Sequence, residues 1–225
     1  MCGRATLVSD YKQVEGLLSR QLDAEEIEEY NRHLPNYNVA PTHLLPVVTS
    51  NNSDALSFKR WGLIPFWAKD SKIGSKLINA RAETVGIKAS FRNAFKKRRC
   101  LVLIDGYYEW RKSDGKKLPF RVTYKGGQPF AVAGLWEEWK NPEGKSIDTF
   151  TMITRSANVK MSGLHHRMPY AILKDYHQLW LTGDFNPENW ADFMEDTSIP
   201  FSDYYPVSAE VNHVKNNHPQ LIEPQ

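Results

Sequence analysis

The chain has 225 residues, enough for one domain with a sizeable core, and its 41% hydrophobic and 24% charged residues exclude the disordered and fibrous classes. Lys and Arg number 29 against 26 Asp and Glu, so a net charge of +3 is too small to imply an anionic partner by itself. Two cysteines, Cys2 and Cys100, build no disulfide framework, and no signal-like or membrane-length apolar run occurs, so the expectation is a cytoplasmic protein with no membrane contact.

The chain opens Met1-Cys2-Gly3-Arg4. Residue 2 is small, so removal of the initiator Met is expected, and it would leave Cys2 with a thiol and a free α-amine on neighbouring carbons. The amine titrates at about 7.7–8.0 and the thiol at about 8.5 in model peptides, so both have reactive fractions at neutral pH. Against an ester or amide the thiol attacks with the amine as base. Against an aldehyde the amine forms a Schiff base, onto which the thiol closes a five-membered thiazolidine. The competing reading is a small apolar residue at the start of a buried strand.

Ala5-Thr6-Leu7 reads as a short strand, and Asp10 with Gln13 as a capping box opening a helix with Val14, Leu17 and Leu18 on its apolar face. Asp23 to Glu29 reads as a solvated acidic face without chemistry. Tyr37-Asn38-Val39-Ala40-Pro41 leads into the strand Leu44 to Thr49, and a turn at residues 51–54 predicts a hairpin to Leu56–Trp61. Residues 61–67 form an aromatic, turn-rich loop. In the extended stretch 78–84, Asn79, Arg81 and Glu83 fall on one side, as either a solvated face or a site. Arg92, Lys96, Lys97, Arg98 and Arg99 crowd one short helical segment, the strongest local basic patch.

Cys100 to Ile104 reads as a central strand that ends in Asp105-Gly106-Tyr107-Tyr108-Glu109-Trp110. A carboxylate set among these aromatics is expected to be desolvated and suited to proton transfer; an exposed strand-end Glu is the alternative. Turns at 113–115, 126–127 and 141–144 then predict a meander of antiparallel strands. Gly144-Lys145-Ser146 is not a phosphate loop, because the first glycine of that motif would fall at Trp139. No metal-binding or acyl-serine motif occurs, so no metal or cofactor is expected. Of the vicinal His165 and His166, an extended chain would turn only one toward a site. Lys174–Leu181 reads as a helix, Asn186 caps another bearing Trp190, Phe193 and Met194 inward, and Val211–Asn217 reads as polar surface.

Five motifs therefore stand in order: Met-Cys-Gly-Arg, Tyr-Asn-Val-Ala-Pro, Asn-Ala-Arg-Ala-Glu-Thr, Gly-Tyr-Tyr-Glu-Trp and His-His-Arg-Met-Pro. The set closely resembles the SOS-response-associated peptidase (SRAP) family of abasic-site processing proteins, over Cys2 to about Leu221. The resemblance implies a single α+β domain spanning residues 1–225, with a curved, barrel-like, largely antiparallel sheet flanked by helices. It implies a nucleoid-associated monomer whose partner is single-stranded DNA containing abasic sites. Cys2 would link covalently to the sugar and could free its own amine by autocatalytic removal of Met1. Asn79 would hold the terminal residue and the opened sugar, Glu109 would shuttle protons, and His165 would act as acid and base in ring opening and crosslink reversal. Arg81 and Arg167 would bind flanking phosphates, with Arg4 a weaker candidate, and Pro41, Trp67 and Trp110 would stack on or wedge beside bases. The family pattern has an acidic residue where His166 stands, which leaves a swapped role for His166 open. The rival readings are an N-terminal-nucleophile amidohydrolase, from which Arg4 departs, and a non-catalytic single-strand-binding module.

Overall fold

The computed structural model describes every residue except Met1, Asp114 and Ser202, and only the backbone of Ser113, Pro187 and Glu188. In chain order, β1 (Ala5–Leu7) leads into helices α1 (Tyr11–Leu18) and α2 (Ala24–His33), then β2 (Asn36–Val39), β3 (Leu44–Thr49), β4 (Asn52–Trp61) and β5 (Asn79–Arg81). Helix α3 (Arg92–Lys97) precedes β6 (Arg99–Ile104), β7 (Gly106–Ser113), β8 (Lys116–Thr123), β9 (Phe130–Lys140) and β10 (Ser146–Ser156). The chain continues through α4 (Val159–Ser162), β11 (Arg167–Pro169), β12 (Ala171–Ile172), α5 (His177–Thr182), α6 (Pro187–Thr197) and β13 (Asp203–Pro206).

The expected barrel is present. Strand β3 pairs with β4 and β6, β6 with β9, β9 with β10 and β10 with β4, which closes a five-strand ring. A second sheet runs β13-β8-β7-β1-β2. Most pairings are antiparallel, but β10 runs parallel to both β4 and β5. The simple meander expected from the turns does not form. The chain leaves the barrel after β6, makes the β7–β8 hairpin in the second sheet, and returns with β9 beside β6.

Asp105 explains this corner. Fully buried, it accepts hydrogen bonds from the Thr6 hydroxyl at 2.6 Å and the Ser9 amide at 2.8 Å, and pairs with Arg121 at 3.2 Å. A buried carboxylate left unpaired would be strongly destabilising, so these partners fix where β1 crosses the sheet. Gly106 is required next to it, since a Cβ there would lie 2.8 Å from the Thr6 hydroxyl and 2.9 Å from Arg121 Nε.

Three surface expectations hold for most of their residues and are corrected by packing at a few; Asp23, Glu25 and Glu28 do stay exposed. The acidic run is the start of α2, where Asp23 caps and Glu26 pairs with Arg20 at 2.6 Å and accepts the Leu56 amide. Burial pushes the Glu26 carboxyl up, but Arg20 and the two amides outweigh it and hold it at about 2. In the basic run only Arg92, Lys96 and Lys97 stay exposed. Arg98 pairs with Glu137 at 2.8 Å, and Arg99 is buried against the carbonyls of Phe95, Trp180, Leu181 and Gly183. The segment 211–217 is also more than polar surface: Val211 is fully buried with Tyr108, Val207 and Leu221. Asn186 does cap α6, accepting the Asn189 amide at 3.0 Å.

Candidate active site and nucleic-acid face

Strand register carries Cys2 to its neighbours. Ala5 lies opposite Tyr107 and Thr6 opposite Gly106, and the Tyr108 amide donates to the Arg4 carbonyl at 2.9 Å. Continued outward, this register brings Gly3 abreast of Glu109. Side chains alternate along β7, so Tyr107 and Glu109 share the face toward Cys2 while Tyr108 and Trp110 point the other way. The aromatic surround expected for Glu109 is thus supplied on its own face by Tyr107. Cys2 is fully buried, and Tyr107 and Glu109 are almost so. Burial pushes the Cys2 thiol well above its usual range and the neighbouring Glu109 pushes it further. The sulfur is therefore held as a thiol, and the modest thiolate fraction expected of a free terminal cysteine is suppressed. The expected removal of Met1 lies outside the described residues.

Asn79 reaches the same point from the barrel. Strand β5 runs parallel to β10, with Asn79 opposite Met152, and the Asn79 amide donates to the Cys2 carbonyl at 2.5 Å. The other side-chain atom, Oδ1, is buried with no hydrogen-bond partner among the described residues. His165 completes the group, its Nδ1 3.9 Å from Glu109 Oε1. The same nitrogen accepts the Arg167 amide at 3.0 Å. The two histidines do not point to opposite sides as an extended chain would require. The His165 amide bonds back to the Met161 carbonyl near the end of α4, and the two rings lie against each other, tilted by 31° with centroids 4.3 Å apart. His166 is exposed, and the adjacent His165 disfavours its protonated form.

Strand β10 also organises the basic side chains. Arg81 and Pro169 both align with Thr154, so β5 and β11 flank β10 on its two edges. Arg81 is exposed. Glu83 does not share its side, because residues 82–84 form a 3₁₀ turn that swings Glu83 onto Arg167. There the guanidinium is buried in a bidentate pair at 2.6 and 3.0 Å, with a further bond to the Thr154 carbonyl. Arg4 donates to Asn38 Oδ1 and to the Val211 carbonyl, both at 2.6 Å, and lies 5.9 Å from the Trp110 ring. Trp110 in turn donates to Asn212 Oδ1 at 2.7 Å. Pro41 is half-buried, whereas Trp67 is 49% and Phe66 54% exposed on the loop after β4. Among the described residues no cluster of His, Cys, Asp and Glu is placed to hold a metal ion, and no helix is long and apolar enough to cross a membrane.

Residues 1–214 match the family described as SOS response associated peptidase (SRAP). The chain belongs to this family. It is 40% identical over 230 residues to the abasic site processing protein YoqW of Bacillus subtilis, covering 99% of each chain. It is 31% identical to the abasic site processing protein HMCES of Gallus gallus, over 86% of this chain and 67% of that one. Among solved structures, a Bacteroides thetaiotaomicron protein superposes with a TM-score of 0.85 over the whole of both chains at 26% identity.

In this SRAP chain the fold brings Cys2, Asn79, Glu109 and His165 into one cluster, with Arg81 and Arg167 on the strands beside it. Sequence reading passed over Asn38, whose amide donates to the carbonyls of Val211, His213 and Asn216 while its oxygen holds Arg4. The signal was available, since Asn38 sits inside the motif that ends in Pro41. Phe66 was equally unmarked beside Trp67.

Proposed function

We propose that this protein captures abasic sites in single-stranded DNA covalently through Cys2. Its relatives are named for abasic-site processing, and the chemistry of the site suits that lesion. Once Met1 is removed, the Cys2 amine adds to the aldehyde carbon of the opened sugar and loses water, giving a Schiff base. The thiol then adds to the imine carbon and its proton passes through Glu109 to the imine nitrogen, so that the ring closes without loss of further atoms and Glu109 is regenerated. Ring closure removes the electron sink that would otherwise promote β-elimination, and the strand stays whole. His165, 3.9 Å from Glu109, serves as the acid and base when the sugar ring opens and when the link reverses.

The observation that carries this reading is the clamp on residue 2. Asn79 fixes its carbonyl while the thiol stays protonated beside Glu109. A sulfur kept neutral until an imine arrives resists alkylation and oxidation, yet has an acceptor for its proton at the moment of ring closure. Arg81 and Arg167 serve the flanking phosphates, Arg167 being oriented by Glu83, and Trp67, Trp110 and Pro41 face the bases.

The test is incubation with an oligonucleotide carrying one abasic site, followed by a denaturing gel and mass spectrometry of the N-terminal peptide. A band that survives denaturant and an adduct on Cys2 are expected, and Cys2→Ala should lose both. A shift seen only in native gels would replace this reading with the non-catalytic binding module.

A further inference from the structure

The loop between β4 and β5 is built as a rigid platform. The Gly62 amide donates to the Phe150 carbonyl at 2.8 Å, the Ile64 amide to the Thr149 hydroxyl at 2.9 Å, and Trp139 Nε1 to the Ala68 carbonyl at 2.7 Å. Its two ends meet where the Leu63 amide donates to Leu77 and where Gly62 and Gly74 pack back to back. At that contact a Cβ on either glycine would come within 2.7 Å of the other's carbonyl oxygen. Four anchors and no room for slack leave the outer face of the loop preorganised.

That outer face is basic and aromatic. Trp67, 49% exposed, borders a largely apolar cavity of about 310 Å³ that Lys69, Lys72 and Lys76 also line. All three lysines are exposed, and none has an ion pair among the described residues. The one acid in the segment, Asp70, uses its carboxylate to cap the 3₁₀ helix at the Lys72 amide. Lys76 ends that helix, and Asn79, whose side chain holds the Cys2 carbonyl, follows three residues later.

We infer that Lys69, Lys72 and Lys76, grouped beside Trp67, form a subsite for the phosphates of the undamaged flank of the strand, one phosphate on each ammonium group. The inference rests on the proposed DNA chemistry of Cys2 but concerns intact nucleotides only. Lysines supply point charges to phosphates without reading sequence, so the subsite lengthens the footprint and leaves sequence preference flat.

The measurement is the salt dependence of binding of the full chain to a thymidine homopolymer without lesions, followed by fluorescence anisotropy. Each phosphate neutralised on a single strand contributes about 0.7 to the log–log slope, so replacing Lys69, Lys72 and Lys76 by Gln should shallow it by about 2. Arg at the same positions should restore the slope. Removing Lys12 and Lys125, which are exposed on α1 and in the β8–β9 turn, should leave it as it was. An unchanged slope in the triple Gln variant overturns the inference. So does displacement of the strand by polyglutamate as readily as by more thymidine, which would make the face a general anion surface. Crosslinking of unaltered protein to abasic DNA, run in parallel, tests the Cys2 chemistry separately, because the homopolymer carries no aldehyde.

Discussion

Asn79 offers the sharpest test of how the site is assembled. Its amide is the clamp on the Cys2 carbonyl, at 2.5 Å, and its Oδ1 is buried without a partner among the described residues. Asn79→Ala removes a neutral hydrogen bond whose net worth is about 1–1.5 kcal/mol, equivalent to about a 5- to 13-fold loss in crosslinking rate if the clamp acts in the rate-limiting geometry. Asn79→Asp keeps the shape but sets carboxylate oxygens against a carbonyl oxygen. That leaves two buried acceptors facing each other and raises the loss to about 100-fold or more, since an unsatisfied buried acceptor adds about 1–3 kcal/mol. Single-turnover crosslinking to an abasic oligonucleotide gives the rates, and anisotropy on undamaged strand gives the affinities. Rates should fall in the order native, Ala, Asp, with affinity for intact strand little changed. Equal rates for Ala and Asp, or losses that appear equally in binding, would refute the clamp and make Asn79 a scaffold residue.

Three further outcomes are expected. His177 is buried, which holds its imidazole down at about 4 against the usual 6.5, although a bond to the Ile172 carbonyl opposes the shift. The unfolded chain then binds more protons across that window, so stability is complete above about pH 6.5 and declines toward pH 4 by at most about 3 kcal/mol. Urea titrations should show the decline, His177→Asn should flatten it, and an identical slope in the variant would place its source elsewhere. Gly62→Ala, at φ 121° with the Gly74 carbonyl 2.7 Å from the new Cβ, should destabilise by about 2 kcal/mol or more in thermal melts. Gly144→Ala, at φ 82° with open space around it, should lose only about 1 kcal/mol, and equal losses would discredit the backbone collision. Finally, iodoacetamide should label folded Cys2 at least about 100-fold more slowly than the unfolded chain, since each unit of thiol pKa removes about nine-tenths of the thiolate. Glu109→Gln should speed labelling of Cys2 and leave Cys100 unaffected; a uniform change would indicate general loosening.

Much of the local structure was legible because it depends on near neighbours. The capping box at Asp10 and Gln13, the turns that bound the strands, and the cap at Asn186 all need only a few residues of context. The alternation that puts Glu109 and Trp110 on opposite faces of β7 was equally local, and was missed only because their neighbours were read as one cluster. The route through two sheets was not legible. It is set by Asp105, whose partners Thr6, Ser9 and Arg121 are far apart in the chain. The adjacent histidine rings depend on a helical turn ending at His165, and the inward course of Arg98 and Arg99 depends on a carboxylate and carbonyls from distant strands and helices. Charge and spacing mark such residues as polar without saying whether water or protein satisfies them.

The bond from Arg4 to the Val211 carbonyl spans 207 positions, and the amide of Asn38 binds three carbonyls of the same late segment. During vectorial synthesis, residue 2 therefore leaves the ribosome long before the residues that steady its strand. Closing so large a loop is slow and comes after local structure has formed. A nascent chain thus carries Cys2 in a floppy, unclamped form, and the geometry proposed for lesion capture is acquired only when nearly the whole polypeptide is out. Timing of that kind confines the proposed covalent step to finished molecules.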